Sequence, residues 1–405
     1  MLLTMKDKNK IEVIMAVMDG KIEVVDAGKI LSRSCRQVYR MLASVRKEGI
    51  KGLIHKNRGR ESPLRIEDSI KSKIVTFAKG RYQRINDTHL KEILEREEGI
   101  KIGRESLRKI LRKAGISAKR KRRHPKYRKR RERKEAFGMM LQVDASHHDW
   151  LEGRGPSLVL VGAKDDATGY FWGRFVPAET TWSYMNLMKE IFLSHGLPLS
   201  LYSDRHSIFH TLRDPTIIEQ LKNIQPLTQF GRAMDELGIN IIPAYSPQAK
   251  GRIERQWGTL QDRLVVELRL AGAKNKDESN QILDKLLPDY NKRFIYPPKK
   301  QESLFRKTPP LHQLNQILCL KETRIVNNDH TISFQGLILQ IPFSNKFRSI
   351  AKQRVTVLQK QDGSIEIMYK QQTVARLSPE AITRLVQKVN YYPTQLKTDA
   401  LQAHL

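Results

Sequence analysis

At roughly 100–200 residues per domain, a chain of 405 residues holds several domains and has length for a substantial core. Lysine and arginine number 74 against 43 acidic residues, a net charge of +31 that excludes an ordinary neutral metabolic enzyme and points to a polyanionic partner. Two cysteines exclude a disulfide framework or a four-cysteine zinc site, and with neither a signal-like N-terminus nor an apolar run of about 18 residues the expected setting is the cytoplasm, with no membrane role.

The first unit, expected within 1–60, has helical periodicity over Asp7–Met18, Ile22–Leu31 and Ser34–Lys47. Val38, Met41, Leu42 and Val45 form one apolar stripe, Ser34 is the expected N-cap and Gly49 the expected stop. A short turn into a helix whose first turns project Arg36, Gln37 and Arg40 is the helix-turn-helix arrangement, and these side chains are candidates for contacts to base edges or phosphates. A second unit, 61–116, is expected to repeat it with helices near Ile66–Lys79, Asp87–Glu97 and Arg104–Lys113. There Leu107, Ile110 and Leu111 pack, while Arg104, Arg108 and Lys109 take the exposed side.

Charge then concentrates. Residues 101–140 carry 18 Lys and Arg against Glu105, Glu132 and Glu135, densest from Lys119 to Lys134. Like charges at that density repel and cannot pack, so 117–136 reads as a basic linker made for phosphates.

From 137 to 305 the pattern becomes α/β. Strands are expected at Met139–Asp144, Leu158–Ala163 and Tyr170–Val176, the last two joined by the turn composition KDDATG. A helix at Trp182–Ser194, a strand at Leu199–Ser203, a helix at Gln229–Leu237, a strand at Ile239–Ile242 and a long helix at Gln248–Leu270 follow. Three antiparallel strands followed by alternating helices and strands are the order of a ribonuclease H-like domain. Between 306 and 378, short strands (Arg324–Val326, Ile332–Phe334, Leu337–Ile341, Arg354–Leu358, Ser364–Tyr369) predict a small β-barrel, and the tail 379–405 begins with a helix, Pro379–Lys388. The expected class is therefore multidomain α+β.

Three acids stand where that topology brings chain segments together. Asp144 closes the first strand and Asp204 the fourth, which are neighbours in such a sheet, and Glu254 lies one turn into the long helix. Clustered carboxylates repel unless protonated or bound to a cation, and all-oxygen donors select a hard one, Mg²⁺ or Mn²⁺. Two such ions about 3.5–4 Å apart are suited to in-line displacement at phosphorus. Asp149, Asp165 and Asp166 fall on turns leading away from that junction.

The strings LQVDASHHDWLEGRG, DDATGYFWGRF, YSDRHSIF and AYSPQAKGRIERQWGTLQDRL resemble the DDE transposases of bacterial insertion sequences with an integrase-type catalytic core, nearest the ISNCY group. The resemblance implies Asp144, Asp204 and Glu254 as catalytic and metal-binding residues; a retroviral-type zinc domain is not expected, since the N-terminal region offers one Cys and few His. It also implies cleavage of the 3′ strands at the ends of a mobile element, joining to target DNA, and action as a homo-oligomer, at least a dimer. One departure is that 49 residues separate Asp204 from Glu254, more than is typical of the wider superfamily, with the extra length around HTLRDPTIIEQLKNIQPL. Asp214 has nearer spacing but reads as a turn. Lys250 and Arg252 in SPQAKGR are expected to face phosphate. His147, His148 and His206 flank the acids, and Trp150, Trp172 and Trp257 read as packing residues. The absence of a GxxxxGK[ST] loop predicts no nucleotide cofactor. Two rivals are an inactivated transposase kept as a DNA-binding regulator and a metal-dependent nuclease that cuts without joining.

Overall fold

A computed structural model describes residues 5–55, 57, 65–119, 131–211, 213–221, 225–244, 251–343, 347 and 349–391. The chain forms two compact units, one of Met1–Gln83 with Glu105–Ser117, the other of Arg84–Arg104 with Ala118–Leu405. No helix among the described residues is long and apolar enough to cross a membrane.

The first unit opens with α1 (Met5–Met18), α2 (Val24–Leu31) and α3 (Cys35–Glu48). Val38, Leu42 and Val45, spaced to share one face of α3, close on Val13, Ile14 and Ala27. The turn between α2 and α3 is tight: a Cβ on Gly28 would lie 2.8 Å from the Arg33 carbonyl oxygen, so only glycine fits. Ser34 holds the N-cap position in extended backbone, but its hydroxyl makes no capping hydrogen bond. The unit also contains α4 (Asp68–Lys79) and α6 (Arg104–Lys113), whose Leu107 and Leu111 are buried.

In the second unit α5 (Asp87–Glu98) is capped by the Asn86 side chain, which accepts from the His89 amide at 2.9 Å. The sheet has strand order β3-β2-β1-β4-β5, with β1 (Leu141–His147), β2 (Val159–Asp165) and β3 (Phe171–Val176) antiparallel and β4 (Ser200–Ser203) and β5 (Asn240–Pro243) added in parallel. This is the ribonuclease H-like order expected from the sequence. Alternation along the strands sends Val143, Val161 and Ala163 to one face, against α7 (Thr181–His195) and α9 (Gln229–Glu236). Leu160, Phe171 and Phe175 go to the other, against α10 (Gly251–Leu270) and α11 (Lys276–Phe294). A short α8 (Ile217–Leu221) lies in the long connection between β4 and α9.

Sequence periodicity did not anticipate α11, which contains Pro288. The helix covers edge strand β3: Asn291 accepts from the Phe171 amide and donates to its carbonyl, both at 2.9 Å, and Asn280 does the same at Phe175, at 2.8 and 3.0 Å. Beyond it come α12 (Leu311–Ile317) and six strands rather than five. Strands β6 (Leu320–Ile325), β9 (Arg354–Gln359), β10 (Ile365–Tyr369) and β11 (Gln372–Leu377) form one antiparallel sheet, ordered β11-β10-β9-β6. The hairpin β7 (Thr331–Phe334)–β8 (Leu337–Gln340) shares its core, which includes Ile332, Phe334, Val357 and Ile367, and α13 (Pro379–Tyr391) follows. Among the described residues no ladder joins the hairpin to the four-stranded sheet.

Candidate active site

Parallel pairing of β1 with β4 matches Leu141 to Leu201 and Gln142 to Tyr202. Continued two residues further, that register aligns Asp144 with Asp204, which lies just past the end of β4. Asp144 is in the middle of β1 rather than at its end: β1 runs on to His147, paired to β2, while β4 stops at Ser203. The two acids thus sit at the notch where one strand outruns the other. Both are half-buried. They share the sheet face of Gln142 and Tyr202, since side chains alternate along a strand.

Helix α10 covers that face. Trp257 Nε1 donates to Asp144 Oδ2 at 2.9 Å, and Gln261 donates to Ser146 Oγ at 3.0 Å. Gly162, directly opposite Asp144 on β2, makes room for the indole: a Cβ there would lie 2.6 Å from Trp257 and from the Phe171 ring. Glu254 is three residues before Trp257 and so neighbours it on the helix surface. Its side chain is exposed. Asp204 Oδ1 accepts from the His206 amide at 3.1 Å, a turn that aims the carboxylate.

From the opposite face, Tyr184 of α7 donates to Glu179 Oε1 at 2.7 Å, and Glu179 Oε2 lies 2.9 Å from His147 Nε2. Burial, then the carboxylates of Glu179, Asp144 and Asp204, hold the Tyr184 phenol well above its ordinary value. One phenol thus feels both candidate acids. Neither Tyr184 nor Glu179 had a sequence signal that singled it out.

The acids set aside in the sequence have structural partners. Asp149 accepts from the Gly153 amide. Asp165 accepts from Thr168 and from the Gly138 amide, and burial pushes its carboxyl up. Asp166 is buried among Arg131, Arg252, Gln142 and the Lys134 amide. Asp214 is exposed in the loop before α8. Trp150 and Trp257 are core residues, and Trp172 stacks on Phe137.

Of the expected DNA-facing residues, Arg36, Gln37 and Arg40 on α3 and Arg104, Arg108 and Lys109 on α6 are exposed, Arg108 being paired with Glu105 at 2.6 Å. Arg252 keeps 14% of its side chain exposed and is held by Asp166 and the Arg131 carbonyl. Lys250, and most of the basic linker, lie outside the described residues.

The donors at the notch are all carboxylate oxygens, the type that fits a hard divalent cation. Among the described residues no three His, Cys, Asp or Glu side chains are gathered closely enough to hold an ion, and Glu254 is exposed on α10.

No protein-family model matches this chain. It is 35% identical over 370 residues, covering 90% of this chain and 79% of the relative, to the protein named "Putative transposase y4bF" of Sinorhizobium fredii. It is 30% identical over 401 residues, covering 89% of this chain and 84% of the relative, to the transposase for insertion sequence IS1202 of Streptococcus pneumoniae. Among solved structures, similarity extends to the catalytic core domain of BIV integrase, at 20% identity over 38% of this chain and 85% of that one, with a TM-score of 0.28. A simian T-cell lymphotropic virus intasome in complex with PP2A regulatory subunit B56 gamma is similar at 14% identity over 76% and 99%, with a TM-score of 0.33. The fold rests on the strand order above, not on these overlaps.

Proposed function

Since this chain belongs to the transposases of bacterial insertion sequences, we propose that it binds the ends of its own element, cuts the 3′ strands and joins them to target DNA, using Asp144, Asp204 and Glu254 as metal-binding carboxylates of the DDE type. The observation that carries this reading is the register that sets Asp144 beside Asp204 under α10, the helix bearing Glu254. Asp144, Asp204 and Glu254 would hold a pair of Mg²⁺ or Mn²⁺ ions, which when bound would supply Lewis acidity toward a phosphate.

The chain's own groups do the rest. Trp257 fixes one oxygen of Asp144, and the His206 amide orients Asp204. Glu254, exposed on the same helix three residues before Trp257, would supply the third carboxylate. Cutting and joining are both displacements at phosphorus, so one set of carboxylates serves water in the first and a 3′-hydroxyl in the second.

End recognition belongs, in this reading, to α3 and α6 as helix-turn-helix elements, through Arg36, Gln37, Arg40, Arg104, Arg108 and Lys109. The tight α2–α3 turn at Gly28 and the exposure of these side chains support it. Lys250 and the basic linker add phosphate contacts, the β-rich C-terminal unit is an open form of the small barrel, and two copies pair to bring two ends together.

The test uses Asp144→Asn, Asp204→Asn and Glu254→Gln. Each is expected to abolish Mg²⁺-dependent cutting of cognate ends while binding them with affinity within about threefold of native, since binding comes from phosphate and base contacts elsewhere. Retained cutting in all three would remove the triad. Joining of a pre-cut 3′ end to plasmid DNA separates a transposase from a nuclease that only cuts, and failure of the native chain to cut at all favours a DNA-binding regulator.

A further inference from the structure

Asp166 is on the turn after β2, outside the acidic trio, and its side chain is fully buried. Its Oδ1 accepts from the Arg131 guanidinium and from Gln142 Nε2, both at 2.6 Å, and from the Arg252 guanidinium, while Oδ2 accepts from the Lys134 amide at 2.8 Å. Burial alone would raise this carboxyl, but the Lys134 amide, Arg252 and Arg131 outweigh it and hold it below the usual value, so it is an anion.

The donors come from three places. Gln142 is two residues before Asp144 on β1 and shares its face. Arg252 is two residues before Glu254 in the first turn of α10. Arg131 and Lys134 end the polybasic run just ahead of the core. A second tie reaches the same turn: Lys164 of β2 donates to Gln256 Oε1 at 2.7 Å and to the Arg252 carbonyl at 3.4 Å. A first helical turn has amides without intrahelical partners and depends on side chains to anchor it. A buried ion pair is seldom more stable than an apolar contact of the same size, so four donors on one buried carboxylate here speak for placement rather than stability.

We propose that Asp166 is a positioning residue whose carboxylate, gripped by Arg252 and Gln142, fixes the first turn of α10 on β1 so that Glu254 can reach Asp144 and Asp204, and through Arg131 seats the end of the polybasic run at the same joint. This rests on the carboxylate reading of the site given above.

The experiment takes the full chain with Asp166→Asn, Arg252→Gln and the two combined. Mn²⁺ binding is followed by calorimetry without DNA, and cutting of cognate ends is measured over a Mg²⁺ series. Each folded single variant is expected to weaken Mn²⁺ binding by about tenfold or more, the usual effect of removing a group that orients a metal ligand. The Mg²⁺ needed for half-maximal cutting rises by a similar factor, and the rate at saturating Mg²⁺ changes far less. The double variant is no worse than the poorer single, because both break one joint. If Asp166→Asn does not fold, Arg252→Gln, which keeps the carboxylate and its other donors, carries the test alone. A folded Arg252→Gln with Mn²⁺ affinity and Mg²⁺ dependence within about twofold of native, well short of the effect expected for an orienting group, overturns the proposal. Strictly additive losses overturn it as well. Asp144→Asn is run alongside: if it binds Mn²⁺ like the native chain, the carboxylate reading and this inference both fail, whereas lost binding there with intact binding in Arg252→Gln removes the positioning role alone.

Discussion

Replacing Gly162 by alanine probes the packing that aims Asp144. The added Cβ would lie 2.6 Å from the Trp257 ring and from two atoms of the Phe171 ring, against an ordinary contact of about 3.4–4 Å. Something must yield by close to 1 Å. Phe171 is fully buried and Trp257 is 6% exposed, so neither ring has free space beside it. Overpacking of this kind costs about 1–3 kcal/mol. In a unit of this size each kcal/mol lowers Tm by about 2–4 °C, so a fall of roughly 2–12 °C is expected. The same push moves the indole away from Asp144, and a hydrogen bond to a carboxylate is worth about 1.5–3 kcal/mol. Mn²⁺ binding to the folded variant should therefore weaken by about tenfold or more. Thermal melting followed by far-ultraviolet circular dichroism, with calorimetric titration of Mn²⁺ below the transition, measures both. Gly251→Ala is the control, because a Cβ there meets nothing within 4 Å among the described residues and alanine favours the helix it begins. A Gly162→Ala protein that melts within 1 °C of Gly251→Ala and binds Mn²⁺ equally well would refute the packing argument.

Two further outcomes follow from the second unit. Glu267 on α10 takes His89 Nε2 at 2.8 Å and Arg96 at 2.8 Å, both from α5; burial raises its carboxyl, but these partners outweigh that and bring it down to about 2. A lowered carboxylate stabilises the fold above its unfolded value, near 4.5, and that contribution disappears as pH falls from there to about 2. Glu267→Gln should cost about 2–3 kcal/mol at pH 7, with the gap between native and variant melting curves shrinking below about pH 4.5 and closing only near pH 2; a gap that stays constant from pH 5 down to pH 2 would show that charge is not the cause. Asn291→Ala should cost about 2–4 kcal/mol, since it strips the Phe171 amide and carbonyl of their buried partners; urea unfolding measures it, and a loss under 1 kcal/mol would mean that water replaces both bonds.

Much of the catalytic unit could be read from the sequence because its information is local. Apolar alternation in MMLQVD and LVLVGA and the 3.6-residue period of GRIERQWGTLQDRL each specify an element, and sheet connection rules then bring Asp144 next to Asp204. What escaped is information held between distant residues. Asp166 reads as one of several turn acids because its partners, Arg131 and Arg252, are 35 and 86 residues away. Helix α11 was missed because Pro288 interrupts its pattern and because asparagines, ordinarily turn residues, form its contact with β3. Strand β11 escaped because QTVARL carries polar and charged residues on an exposed face, which blurs alternation. Ser34 shows the opposite: the residue is at the expected helix boundary, yet its hydroxyl does not perform the expected bond.

The two asparagines on α11 also bear on assembly. An open sheet invites a neighbouring chain to extend it, and here one flank is already stitched by side-chain amides while the other is a four-residue strand that ends in Pro243. This five-stranded sheet therefore offers a second copy little backbone edge to extend.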